Sequence, residues 1–346
     1  MPFLAFPGSL DSLLPAHLAA RVPPQLDVHQ LLTRWSFAPI PAIALLGIAG
    51  LYFSGVRVLT KRGDAWAWQR SLGFVGGVVV AAYAILGGLG AYDGTLFSAH
   101  TAQHMLLAMV VPVLLALGAP ITLALRTLPA RPRAWLLKLL HGQLGALLAS
   151  PFLGLALMAA TPFVLYFSGI YPYTLDHNWA HYLLHLHFVT VGCIFFWPIL
   201  GIDVLPHRPP HWARVLALFI MLPFHAFLGI ALMTGDGVIA AAHYAALGRT
   251  WGASAHSDQV TGGGLVWATG DLLSGFLFLT VLMQWAKADE KEARRIDRAL
   301  DRAEALELRE QGTSGQHSQD PEDAEDPQDA ALAAYNARLA RLAEDG

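Results

Sequence analysis

The residues best suited to chemistry are the histidines: the chain carries 15 of them in 346 residues, and they fall into patterned groups. His100 and His104 stand four apart in Ser98-Ala-His-Thr-Ala-Gln-His-Met105. On an α-helix that spacing puts two side chains about 40° apart on one face, as two ligands of one metal would be. His177, His181 and His185 form an i, i+4, i+8 stripe in Asp176-His-Asn-Trp-Ala-His-Tyr-Leu-Leu-His-Leu-His187, with His187 pointing to nearly the opposite side. His225 lies close to Pro223, and Asp271 interrupts an apolar run. Imidazole ligands alone suit zinc, copper, iron and nickel. Met105, Met109, Met221, Met233 and Cys193 add soft sulfur near the imidazoles, which tilts the choice slightly toward Cu(I).

Each group also has a plainer reading. A histidine pair at a helix end can serve as a hydrogen-bonding anchor, and methionine in a membrane helix is more often packing. His177 could be an interfacial cap, and His225 and Asp271 could be no more than each other's partner. His207 and His211 read as ordinary loop residues. His243 and His256 could supplement a site, and His17, His29, His141 and His317 carry no functional signal.

The elements that must position these groups are membrane helices. The sequence is 55% hydrophobic and only 14% charged, against about a quarter charged in an ordinary soluble domain. Seven stretches approach the 20 or so apolar residues a spanning helix needs. They lie near Ala38–Leu59, Ser71–Ala91, Ala99–Leu117, Pro151–Gly169, Trp179–Leu200, Trp212–Thr234 and Gly262–Ala286. Arginine and lysine gather in alternate loops: Arg57, Lys61, Arg62 and Arg70; then Arg126, Arg131, Arg133 and Lys138; then Arg208 and Arg214; then Lys287 onward. The intervening loops hold a single cation, Arg249. The positive-inside rule therefore places the N-terminus outside and the C-terminus in the cytoplasm. With that orientation both histidine stripes run inward from the outer surface. His225 and Asp271 then reach a similar depth from the outer ends of their own helices. Ionisable groups inside a membrane are costly and face partners or cavities, so the convergence of four helices on one level points to a site.

The fold class expected is thus all-α and polytopic. Residues 1–37 would be an extracytoplasmic N-terminal segment, 38–286 a seven-helix membrane domain, and 287–346 a charged cytoplasmic tail. Within the tail, Lys291 to Glu310 reads as a short helix, Gln311 to Asp329 as disordered, and Ala330–Leu342 as a second short helix. The N-terminal segment lacks a basic leader and its apolar stretch is broken by Pro7, Asp11 and Pro15, so no cleavable signal peptide is expected. The lone Cys193 excludes an internal disulfide. The net charge of −3 averages an apolar body and a polar tail, and without a basic stripe bearing interleaved aromatics nucleic acid is not an expected ligand. Membrane lipids are.

The run from His100 to Pro120, His-Thr-Ala-Gln-His-Met-Leu-Leu-Ala-Met-Val-Val-Pro-Val-Leu-Leu-Ala-Leu-Gly-Ala-Pro, resembles the hallmark segment of the multi-spanning CtaG family of cytochrome c oxidase assembly factors. The histidine-rich opening of the fifth span, the Trp197–Asp203 stretch and the Gln284–Arg295 end of the seventh span fit as well, so the likeness runs from about Ser36 to Arg298. The resemblance implies a non-enzymatic protein of the bacterial plasma membrane that matures a haem-copper oxidase. It would do so by supplying copper to the CuB centre of the catalytic subunit, in company with other assembly factors. The chain has no Cys-x-Cys or Cys-x2-Cys and so does not match the single-span copper chaperone that shares the family name. On this reading His100, His104, His181 and His185 hold copper, with His177 as a further ligand, His225 and Asp271 completing or tuning the site, and the tail contacting assembly partners. Three alternatives stay open: an intramembrane zinc hydrolase with Asp271 as base, a haem-binding cytochrome ligated by His104 and His185, and a scaffold with structural histidines.

Overall fold

The computed structural model describes residues 22–315 together with 331, 332, 334–336, 338, 339 and 341. Among these residues every regular element is a helix. Six helices are long and apolar enough to cross a membrane, and a bent pair supplies a seventh span. We number them α1 (Pro39–Lys61), α2 (Trp68–Tyr92), α3 (Phe97–Leu117), α4 (Pro151–Tyr166, continued by Ile170–Asp176), α5 (Asn178–Leu200), α6 (His211–Thr234) and α7 (Ala255–Gly315). The protein is a multi-pass membrane protein. Leu46, Leu51, Leu72, Leu183, Phe227, Leu272 and Phe276 are exposed on these helices, as side chains facing lipid are.

Two compact units divide at Met283 and Gln284. In the first, α3 and α5 form the centre. Phe97, Leu107 and Met109 of α3 and Phe195, Phe196 and Ile199 of α5 are fully or almost fully buried. Around them pack α2, against α3, and α4, against α5 and α6. The approach of α3 to α5 is set by two residues without ordinary side chains or donors. Pro112 offers no N–H to the carbonyl of Ala108, and the helix widens into a π turn over Leu106–Val110. That carbonyl of Ala108 then faces Gly192 of α5, where any Cβ would collide with it. The π turn begins two residues after His104, so the histidine end of α3 is offset from the rest of the helix.

Two buried carboxylates fasten the helix ends. Asp258 of α7 accepts from Phe97 N at 2.6 Å and from Ser98 Oγ at 2.5 Å, capping α3, which has no cap of its own. Asp203 accepts from Ile121 N (2.8 Å), Thr122 N (2.7 Å), Val204 N (2.9 Å) and the Thr122 hydroxyl.

The structure departs from the sequence expectation in three places. The expected loop from Gly169 to His177 is largely helix: α4 turns by 71° and continues as Ile170–Asp176. The expected loop after α3 holds the helices Pro120–Thr127, Ala130–His141 and Gln143–Leu148. The tail helix expected over Lys291 to Glu310 is the continuation of α7, which extends to Gly315 and so makes residues 311–315 helical. No glycine or proline stands between Gly275 and Gly312, and the run is rich in Ala, Glu, Lys and Arg, so nothing local ends the helix. The rest of the expected disordered stretch, 316–329, lies outside the described residues, as do residues 1–21 of the expected N-terminal segment. In the second unit Arg294 pairs with Glu290 at 2.6 Å and Arg338 with Glu304 at 3.0 Å.

Candidate metal centre

The opening turns of α3 and α5 lie side by side and bring four of the predicted histidines together. Ring centres are 3.9 Å apart for His100 and His104, 5.4 Å for His100 and His181, 4.6 Å for His181 and His185, and 5.9 Å for His104 and His185. Ligand nitrogens of His100, His104 and His181 all fall within 4.8 Å of one another. His100 is wholly buried, and His104 and His185 are 3% and 5% exposed. Yet both ring nitrogens of His100, Nε2 of His104, Nε2 of His181 and Nδ1 of His185 are buried without a hydrogen bond among the described residues. Buried polar atoms are almost always paired, because leaving one bare costs about 1–3 kcal/mol. Three such imidazoles with ligand nitrogens within 4.8 Å of one another fit a cation that accepts their lone pairs. The donor set is imidazole, the commonest protein ligand for first-row transition metals.

The surroundings hold these rings in place. The Tyr166 hydroxyl of α4 lies 3.4 Å from His104 Nδ1, leaving Nε2 as the free nitrogen. Tyr171, on the second limb of α4, lays its ring 4.6 Å from that of His100 and hydrogen-bonds Tyr244 through the hydroxyls at 2.5 Å. The bend in α4 is therefore what brings a second tyrosine to the cluster. Gln103, between the two histidines of α3, donates from Nε2 to Ala84 O (2.9 Å) and to Asp93 Oδ2 (3.2 Å). With its amide so oriented, Oε1 faces His185 Nε2 at 3.0 Å and must accept a hydrogen bond from its N–H. His185 is thereby fixed as the tautomer whose Nδ1 carries a lone pair, the usual preparation of a histidine ligand.

Asp93, just beyond α2, completes the picture. Its Oδ2 is 3.6 Å from His181 Nε2, and Asp93, His181 and His185 form a second group whose ligand atoms lie within 4.8 Å of each other. Sequence reasoning singled out neither Asp93 nor Gln103. Asp93 is a loop carboxylate with no periodic signal, and Gln103 looks like a routine residue between two histidines.

The other predicted residues lie apart. His177 precedes the first turn of α5 as its cap, in extended backbone (φ −131°, ψ 104°), so it leaves the stripe that continues through His181 and His185. Its ring stacks on Tyr173 at 4.1 Å and its Nδ1 lies 3.0 Å from Tyr173 O. His225 of α6 is 5% exposed and packs its ring against Gly270 of α7, where a Cβ would meet Cδ2 at 2.6 Å. It borders, with His104, Met105, Met109 and Met158, a cavity of about 30 Å³. Asp271 Oδ1 is buried without a hydrogen bond among the described residues, and Asp271 has no place in either ligand group. His187 pairs with Thr161 at 3.0 Å on the far side of α5, as its register required. His243 reaches Gly94 O at 2.8 Å and Asp176 at 3.8 Å, tying the loop after α6 to the histidine end of the bundle.

Fold and site together define a polytopic helical membrane protein with a buried imidazole cluster between two central helices. The chain belongs to the family described as cytochrome c oxidase caa3 assembly factor (Caa3_CtaG), whose profile matches residues 50–288. It is also 36% identical over 291 residues to the uncharacterized proteins Mb0105 of Mycobacterium bovis and MT0111 of Mycobacterium tuberculosis. To the uncharacterized protein ML1998 of Mycobacterium leprae it is 35% identical over the same length. Each alignment covers 82% of this chain but 44% of the relative, so the chain spans less than half the length of these curated relatives. No solved structure matches it.

Proposed function

We propose that the protein takes part in assembling a haem-copper cytochrome c oxidase by holding copper on His100, His104 and His181, with His185 beside them, and passing it to the CuB centre of the catalytic subunit. One observation carries this reading: three imidazoles present ligand nitrogens within 4.8 Å of one another, and each of these rings has a buried nitrogen without a hydrogen bond among the described residues. Three neutral nitrogen ligands in an apolar shell stabilise Cu(I), a soft ion content with low coordination. The methionines around the neighbouring small cavity add thioethers of the same preference. Zinc would accept the same three imidazoles, and the experiment below separates the two metals.

The orientation expected from the basic loops supports the role. The histidine ends of α3 and α5 lie at the bundle end away from Arg62, Arg126 and Arg214, hence toward the outer leaflet. CuB is itself bound by histidines within the membrane toward that side. A donor with imidazoles at a matching depth can give up its ion by ligand exchange, the acceptor's nitrogens replacing the donor's one at a time. In this scheme the chain performs no bond-making on a substrate; it presents a cation, and its partners are the oxidase catalytic subunit and further assembly factors.

The test is metal content and visible spectrum of the detergent-purified full chain, wild type beside His100→Ala/His104→Ala. Near-stoichiometric copper in the wild type, lost in the double variant and with no haem band, is the expected result. In cells at limiting copper the double variant should also lower oxidase activity. Copper retained by the double variant, or full oxidase activity in its presence, would sink the proposal. Zinc in place of copper would turn it toward hydrolysis, and a Soret band toward a cytochrome.

A further inference from the structure

The two ligand groups of the centre are not equally enclosed, and this has a functional reading. His100, His104 and His181 form the inner group; Asp93, His181 and His185 form another, and His181 belongs to both. Asp93, His181 and His185 border a cavity of about 290 Å³ that His100 and His104 do not touch. The side chains of Asp93 and His181 are 18% and 13% exposed, whereas His100 is wholly buried.

The far wall of that cavity is the segment preceding α1. Arg34, Trp35 and Phe37 border it. The segment is held down by Tyr92 Oη donating to Pro24 O (2.8 Å), Tyr83 Oη donating to Leu31 O (3.2 Å) and Ser36 N donating to Leu86 O (2.7 Å). Arg34 turns its guanidinium toward the face of Tyr92, 5.9 Å from the ring centre, while the carboxylate of Asp93 borders the cavity beside the imidazoles.

We infer that Asp93, His181 and His185 form a receiving position for the metal ion, from which His181 hands it to His100 and His104. This rests on the metal-handling reading above. The chemistry differs between the two positions in the direction a transfer needs. A carboxylate is a hard, weak ligand for Cu(I), so an ion caught there exchanges quickly, and the all-imidazole position holds it more firmly. Because His181 serves both groups, the ion keeps one protein ligand throughout and swaps the others singly. Gln103 holds two members of the receiving group in place, bonding Asp93 through its amide nitrogen and His185 through its oxygen.

The experiment mixes the purified full chain with Cu(I) presented as the complex of a coloured chelator, and follows the loss of the chelator's colour by stopped flow. Wild type and Asp93→Asn should finish with the same bound copper, the variant loading about tenfold more slowly or worse. Asp93→Glu, which keeps the charge, should recover most of the rate and so shows that a slow Asp93→Asn is not a misfolded one. His100→Ala should still draw copper rapidly but lose it on desalting. Equal loading rates in wild type and Asp93→Asn would overturn the receiving position. A lower end-point in Asp93→Asn would overturn it too, making the carboxylate a ligand of one single site. A wild type that takes up no copper breaks the underlying metal reading, a result distinct from either.

Discussion

At one end of the bundle Asp203 is wholly buried and accepts from Ile121 N, Thr122 N, Val204 N and the Thr122 hydroxyl. Beside it Arg214 donates to the carbonyls of Ile199 and Leu200. At the other end His100, equally buried, makes no hydrogen bond with the described residues through either nitrogen. Both regions put polar side chains where the fold is dry. In the first, each group is matched to backbone donors or acceptors that the helix ends leave over, and the result is a fastener. In the second the matching stops at the outer ring of Tyr166 and Gln103, and the inner nitrogens are left facing one another. Burial alone therefore does not mark a site, and nor does the histidine end as a whole. Asp258, at that same end, is fully used in capping α3. What separates the two regions is whether the protein supplies the partner.

The strongest way to break this contrast is to remove ligands. If each imidazole contributes about 3 kcal/mol of a four-ligand binding energy, His100→Ala/His104→Ala should weaken copper by roughly 10⁴-fold. The metal-free double variant loses only the Tyr166 contact to His104 Nδ1 and the packing of two buried rings, so its melting temperature should fall modestly below that of the metal-free wild type. A large fall in that melting temperature would recast the cluster as structural. Asp203→Ala is the mirror experiment. It strands two buried N–H groups of the helix that begins at Pro120 and should cost about 2–4 kcal/mol, read as a lower melting temperature in detergent, with copper stoichiometry unchanged. Between them stands Gln103→Leu. Loss of the amide frees the tautomer of His185 and should cut copper affinity about 10- to 100-fold, the usual effect of removing the group that orients a ligand. An unchanged affinity would show that the amide does not set the site.

How much of this is legible in the sequence follows from which signals are local. The His-x3-His spacing on α3, the i, i+4 pair on α5 and the seven apolar runs are periodic along the chain, and each survives in the structure. The bend in α4 is not periodic; it depends on a break of a few residues at Phe167–Gly169 and on Tyr171 finding Tyr244. Asp258 and Asp203 act on helices 161 and 82 residues away, at a range where spacing carries no information. Asp93 gains its meaning only when α2 is packed against α3. The unbroken run of α7 to Gly315 was readable from the lack of glycine and proline, but the change from apolar to charged composition at Lys287 suggested a boundary that the backbone ignores.

His177 tests the local rule at its limit. By spacing it belongs with His181 and His185, and an ideal helix would place all three in one stripe. The helix, however, begins at Asn178, and the extended backbone of His177 swings its ring away to stack on Tyr173. His177→Ala should therefore leave copper affinity and loading rate at their wild-type values. Its one effect would be a loss of a few tenths of a kcal/mol in stability, from the contact with Tyr173 and its carbonyl. Binding titrations of this variant beside His181→Ala give the sharpest form of the comparison, because two histidines of one stripe, four residues apart, should differ by the whole contribution of a ligand. Equal losses in the two would mean that the first turn of α5 rewinds when metal binds, and that the stripe in the sequence, rather than the capped helix, describes the loaded protein.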